Sequence, residues 1–156
     1  MIIRKQLTRE KALERARSYC RYQQRSHSEV KEKLYSFALT KKDVEELMAQ
    51  LIEEKYLNEE DFAIAFARGR FRMKQWGKVK IKYELKLKKV SDYCINKALK
   101  EIDQEDYQQT LQKLAAIKLR SLKSEKNLFI KKRKLQDHLM QKGFENELIK
   151  NIISDI

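Results

Sequence analysis

Apolar residues recur along this chain in a spacing that is used three times. Val30, Leu34, Leu39, Val44, Leu47, Met48 and Leu51 form one copy. Ile81, Leu85, Val90, Ile95, Ala98, Leu99 and Ile102 form the next, and Leu135, Leu139, Phe144, Ile149, Ile152, Ile153 and Ile156 the last. Successive positions are separated by 4, 5, 5, 3, 1 and 3 residues in every copy, with offsets of 51 and then 54 between copies. Steps of 3, 4 and 1 keep side chains on one face of a helix, and the five-residue steps flank a break. Each copy therefore predicts two helices joined by a short turn.

A further helical stripe precedes each pair. Leu13, Ala16, Tyr19 and Cys20 form the first, and Phe62, Ala63, Phe66, Arg70 and Met73 the second. Tyr107, Leu111, Leu114 and Leu119 form the third, with Ala115 and Lys118 on the same stripe. The expected architecture is all-α: three tandem three-helix repeats at 7–54, 58–102 and 104–156, stacked as an elongated, curved array. A single irregular helical bundle is the competing arrangement.

The turn inside each pair has its own chemistry. Thr40, Ser91 and Glu145 open the second helices, with Asp43, Asp92 and Glu147 just inside them. The hydroxyls can accept from free backbone N–H groups, and the acids suit the positive end of the helix dipole. Ala38, Lys89 and Gly143 stand just before the break, and of these only glycine adopts a left-handed conformation without cost. The turn at Lys89 is therefore expected to be strained or differently shaped.

Composition supports the helical reading. The chain has no proline and three glycines, too few turn signals for a sandwich or barrel of short strands. Hydrophobic residues make up 42%, enough for a core. No apolar run approaches the roughly 20 residues of a membrane span, and Met1 to Gln6 shows no secretory pattern. Cys20 and Cys94 are expected to be buried, reduced thiols on helices, and the compartment the cytoplasm.

Charge adds a direction. The 36 Lys+Arg exceed the 23 Asp+Glu, for a net charge of +13. Arg68 to Lys89 holds ten basic residues and one acid, and Lys118 to Lys134 eight and one. Lys78, Lys82, Lys86 and Lys89, at steps of 4, 4 and 3, predict a lysine stripe away from the Ile81–Leu85 core face. Arg68, Arg72, Lys74 and Trp76 could widen that patch, and Lys131, Lys132 and Lys134 lie in the second cluster. Like charges at such spacing repel by roughly a few tenths of a kcal/mol per pair, and a row of phosphates opposite would reverse the sign. A merely solubilising face is the plain alternative, and an acidic protein surface would also fit.

No catalytic pattern emerges. His27 and His138 lack a second ligand at helical spacing, so no metal site is expected. Neither a phosphate-cradling glycine loop nor a nucleophile motif is present. The expectation is a binding protein without cofactor or catalytic residue, acting as a monomer.

Three stretches resemble the RecX family of recombination regulators. Arg25-Ser26-His27-Ser28-Glu29-Val30-Lys31-Glu32-Lys33-Leu34 looks like that family's Arg-Ser-x-x-Glu-Leu-x-x-Lys-Leu signature. Tyr56-Leu57-Asn58-Glu59-Glu60-Asp61-Phe62-Ala63 is similar to its second motif, followed by Phe66, Arg70, Gly77, Ile81, Glu84 and Leu85 at family-like intervals. Leu139-Met140-Gln141-Lys142-Gly143-Phe144 is the third match. Departures are Lys89, where the family usually has glycine, and Glu59 in place of a frequent aspartate. The resemblance implies a repeat protein that binds the RecA filament on DNA and mainly inhibits its growth, ATP hydrolysis and strand exchange, in recombination and DNA repair. DNA, single- or double-stranded, would be met through its phosphate backbone without sequence preference. The alternative is a helical protein that binds DNA directly, acting without RecA.

Overall fold

The computed structural model describes residues 6–156. Met1–Lys5, most of the stretch read above for a secretory pattern, lies outside the described residues. Among the described residues the chain is all-helical: α1 (Arg9–Tyr22), α2 (His27–Tyr35), α3 (Lys41–Glu53), α4 (Glu59–Lys74), α5 (Lys78–Leu87), α6 (Asp92–Lys100), α7 (Gln104–Ser121), α8 (Leu128–Lys142) and α9 (Asn146–Ser154). None of these helices is long and apolar enough to cross a membrane.

The boundaries have local causes. Thr8, Ser26, Thr40, Asn58, Ser91, Asp103 and Asn127 each accept a hydrogen bond from the backbone N–H three residues ahead, at 3.0–3.3 Å. Each such cap satisfies one of the free donors that begin a helix, worth about 1 kcal/mol. Helix α9 begins at Glu145 with no side-chain cap bond. Helix α5 begins after Trp76-Gly77 and finds its acceptors elsewhere in the chain.

The repeated apolar template occupies matching interior places. Val30, Ile81 and Leu135 are buried, as are Leu34, Leu85 and Leu139, and Leu39, Val90 and Phe144. Val44, Ile95 and Ile149 follow suit, and Met48, Leu99 and Ile153 are all half-buried. The match loosens at the fifth position, where Leu47 and Ala98 are buried and Ile152 is half-buried, and fails at the last: Leu51 and Ile102 are buried, whereas Ile156 is exposed.

All three turns use a left-handed residue, with φ of 62° at Ala38, 61° at Lys89 and 91° at Gly143. Lys89 N–H bonds Lys86 O at 2.9 Å and Val90 N–H bonds Leu85 O at 3.1 Å; Gly143 and Phe144 make the same pair to Met140 and Leu139. This is the Schellman arrangement, which satisfies the last carbonyls of a helix. Of the two outcomes expected at Lys89, strain is the one found: the turn keeps the shape of the Gly143 turn with a side chain in the left-handed region. It has the glycine geometry at a conformational cost of roughly 1 kcal/mol. The bonded carbonyls and the buried Val90 behind it offset that cost.

Contacts group the chain into two compact units, one holding the described residues through Ala65 with Leu85–Ile95, the other Phe66–Glu84 with Asn96–Ile156. In the first, α1, α2 and α3 enclose Ala12, Ala16, Val30, Leu34, Val44, Leu47 and Leu51. Cys20 lies at the margin of this core, only half-buried, and burial raises its thiol pKa. Arg17 grips the Glu54 carboxylate with two N–H groups, at 2.9 and 2.6 Å. Those bonds, with one from Gln50, hold the Glu54 carboxyl below its ordinary range. Ser28 Oγ donates to Lys88 O at 2.8 Å while Lys88 Nζ donates to Glu29 at 2.9 Å, fixing the 85–95 segment to α2.

The second unit turns on a junction of helix ends. Gly77 N–H donates to Lys142 O at 2.7 Å, and Val79 N–H donates to Gly143 O at 2.9 Å. Lys78 N–H donates to the Tyr107 hydroxyl at 2.8 Å, and that hydroxyl donates to Glu145. Free donors at the start of α5 thus meet free acceptors at the end of α8, and the two helix dipoles meet favourably. Tyr107 is buried between Phe71 and Phe144, and burial followed by the Glu145 carboxylate pushes its phenol well above the usual range. On α4, Ala67 and Phe71 are buried while Met73 is 87% exposed, so the inward stripe runs through Phe71 and not Met73. Both choices satisfy helical spacing; the edge-on contact of Phe71 with Tyr107 decides between them.

Candidate nucleic-acid interface

Helix α4 stops at Gln75, whose φ of 56° turns the chain, and Trp76 N–H reaches back to Arg70 O at 3.3 Å. The Gly77 junction then fixes where α5 starts. Trp76 is held half-buried between these two constraints, and cations gather on it. Lys80 Nζ is 4.6 Å from the ring centroid, Lys74 Nζ 5.4 Å and the Arg70 guanidinium carbon 5.6 Å. The Arg70 guanidinium also lies 4.6 Å from the Phe66 ring, and its buried Nε has no hydrogen-bond acceptor among the described residues. Each cation–π contact returns roughly 0.5–1 kcal/mol at a partly exposed site, which helps one indole hold several like charges together.

A cleft of about 190 Å³ opens beside the ring, lined by Trp76, Lys80, His138, Gln141 and Lys142. Lys142 Nζ donates to Lys74 O at 3.3 Å, holding the amine at that end of α4. The pKa of His138 is lowered, first by burial and then by the charges of Lys118 and Lys142. The surroundings resist one more positive charge and would welcome a negative one.

The residues expected from sequence fall into distinct settings. Lys74 belongs to the Trp76 cluster, and Arg68, Arg72 and Lys82 are exposed in the same unit. Lys78 is half-buried, with its ammonium 4.9 Å from the Tyr107 ring. Lys86 is exposed and 4.0 Å from Asp92, and Lys89 sits beyond the end of α5 in the left-handed turn. Lys131 and Lys132 are half-buried at the start of α8, and Lys134 lies 3.8 Å from Glu125. The four-lysine stripe is thus not one free row: its first member stacks on a ring and its last lies off the helix.

Arg70, Lys80, His138, Gln141 and Lys142 were not singled out as site residues by sequence. Two signals pointed to them. Lys80 is one turn from Trp76, and His138, Gln141 and Lys142 share a helix face through i, i+3 and i+4 spacing. What joins the two groups is the Gly77–Gly143 junction, a tertiary contact.

Comparison with known proteins gives a consistent result. Residues 58–99 match the family described as RecX, second three-helix domain, and residues 104–153 match RecX, third three-helix domain. The regulatory protein RecX of Prosthecochloris aestuarii is 31% identical, covering 94% of this chain and 93% of that protein. RecX of Bacillus cytotoxicus is 30% identical over 94% of this chain and 54% of its own length. The chain thus spans about half the length of the Bacillus relatives. A crystal structure of RecX from Lactobacillus salivarius superposes with a TM-score of 0.84 at 26% identity, covering 94% of this chain and 95% of the other. A second RecX crystal structure, at 24% identity and the same TM-score, shares the fold.

Proposed function

Because this chain belongs to the RecX family, we propose that it regulates the RecA recombinase by binding the RecA–DNA filament. The observation that carries the reading is the identity with the Prosthecochloris protein, which extends over nearly the whole of both chains. The role is that of a non-enzymatic regulator, mainly an inhibitor, acting in recombination and DNA repair. Three-helix units at 7–54, 58–102 and 104–156 would be its modules, and a monomer in the cytoplasm its working form.

The physics of the surface supports an anionic partner. A net charge of +13 raises the encounter rate with a polyanion. The cations around Trp76 repel one another until a phosphate compensates them, so binding should weaken steeply with salt. Lysine predominates among the basic residues of α5, which suits backbone contact better than base reading. Arg68, Arg72, Lys74, Lys82 and Lys86, with the second cluster at Lys131, Lys132 and Lys134, are the proposed contact residues.

The test is direct. Adding the purified protein to RecA on single-stranded DNA should slow ATP hydrolysis and strand exchange at near-stoichiometric ratios. Absence of both effects, with no co-sedimentation with filaments, would falsify the reading. Tight DNA binding by the protein alone, with RecA activity untouched, would favour the direct DNA-binding alternative, for which the cations at Trp76 also speak.

A further inference from the structure

We propose that the cleft beside Trp76 is a subsite for one unpaired nucleotide of single-stranded nucleic acid, its base against the indole and its phosphate between Lys80 and Lys142. The inference rests on the proposed function only in taking a nucleic acid as the anion.

Three features of the cleft select this ligand. Its volume of about 190 Å³ takes one planar base, with the phosphate at its open edge. Its wall combines an aromatic face with two ammonium groups, the pairing that binds single strands: stacking for the base and charge for the backbone. In a duplex the base faces are already stacked on each other, so only an unpaired or extruded base can present one to Trp76. Gln141 adds an amide that can donate and accept at a base edge, which suits any base and favours none.

The occupied state follows from the side chains present. Lys80 now rests with its ammonium 4.6 Å from the ring centroid. Its flexible stem lets it swing to a phosphate oxygen while the base takes its place on the ring. Arg70 and Lys74 can remain near the indole. The backbone that carries the ring is fixed: the Trp76 main-chain N–H donates to Arg70 O and the Gly77 junction follows at once, so stacking requires little reordering of the backbone.

Trp76 is the only tryptophan in the chain, so its fluorescence reports on the cleft alone. The chain is titrated, without RecA, with a thymidine oligonucleotide, with an abasic strand of the same length, and with a duplex of that length. Saturable quenching by the thymidine strand is expected, with little from the abasic strand or the duplex at equal phosphate concentration. In parallel, Trp76→Phe should weaken binding of a labelled single strand, and Trp76→Ala more so, by roughly tenfold or more, with duplex binding unchanged. Equal quenching by the abasic strand would overturn the subsite, since phosphate alone would then explain the signal. Single-strand affinity unchanged in Trp76→Ala would overturn it as well. Because RecA is absent, a negative result removes the subsite and leaves filament regulation to be decided by the ATPase assay.

Discussion

Gly77 and Gly143 meet backbone to backbone, so closely that a Cβ built on Gly77 would overlap the Gly143 carbonyl and the Phe144 nitrogen. The contact lets the first donors of α5 reach the last acceptors of α8 at 2.7 and 2.9 Å. It replaces the side-chain cap that α5 lacks, and it sets Trp76 against the face of α8 that carries His138 and Lys142. A single small residue therefore serves both stability and the candidate site.

Gly77→Ala should destabilise the protein by at least about 2 kcal/mol, because the obstructing atoms are backbone and cannot rotate away. Gly143→Ala carries two penalties: a Cβ at φ 91° and an overlap with the backbone and Cβ of Lys80. Urea unfolding measures both variants. A Gly77→Ala midpoint equal to the parent's would show that the two backbones are farther apart than described.

The left-handed turns predict a reversal of sign for one kind of substitution. Lys89→Gly should stabilise by about 0.5–1 kcal/mol, since glycine accepts φ 61° without the Cβ penalty. Lys86→Gly, on the exposed face of α5, should destabilise by about 1 kcal/mol through lost helix propensity. Thermal melts of the two proteins, both lysine to glycine and one turn apart, should move in opposite directions. Two shifts of the same sign would remove the left-handed assignment.

Tyr107→Phe keeps the ring contacts with Phe71 and Phe144 and removes only the hydroxyl. Lys78 N–H then loses its acceptor and Glu145 its donor, at a cost of about 1–3 kcal/mol. The parent should also lose stability as pH rises above about 10, where an unfolded tyrosine ionises and the folded Tyr107 resists doing so. Unfolding midpoints at pH 8 and pH 10.5 test this, and Tyr107→Phe should show less of that alkaline loss.

These positions also show how far the sequence alone reaches. The repeated spacing located the buried sets Val30–Ile81–Leu135 and Leu34–Leu85–Leu139, because one helix face repeats with a local period that spacing records. It also placed the turn caps Thr40 and Ser91, whose bonds reach only three residues ahead. It misplaced Met73 for Phe71, since i+3 and i+4 steps are equally helical and only the Tyr107 ring distinguishes them. It extended the template to Ile156, which is exposed beyond the last turn of α9. The surroundings of Trp76 were half legible: Lys74 and Trp76 stood out as neighbours, but the cleft residues Lys142 and His138 come from α8 and arrive through the Gly77 junction. Local periodicity carries no information about which helix ends will meet.

His138 offers a reporter for charge in that cleft. Burial and the ammonium groups of Lys118 and Lys142 lower its pKa below the ordinary 6.5, so it is neutral at pH 7. An unfolded chain takes up this proton more readily than the folded one. Stability should therefore fall as pH drops from about 7 through the lowered value. The decline should be smaller in His138→Gln, which keeps a polar side chain and has nothing to titrate. A phosphate bound between Lys80 and Lys142 would counter the positive field and draw the imidazole pKa upward. Following the His138 ring protons by NMR across pH 5 to 8, with and without a thymidine oligonucleotide, should give a titration below the usual imidazole range that moves up on addition of the strand. A midpoint at or above the ordinary value in the free protein, or no movement with the strand bound, would mean that the lysines do not converge on this histidine.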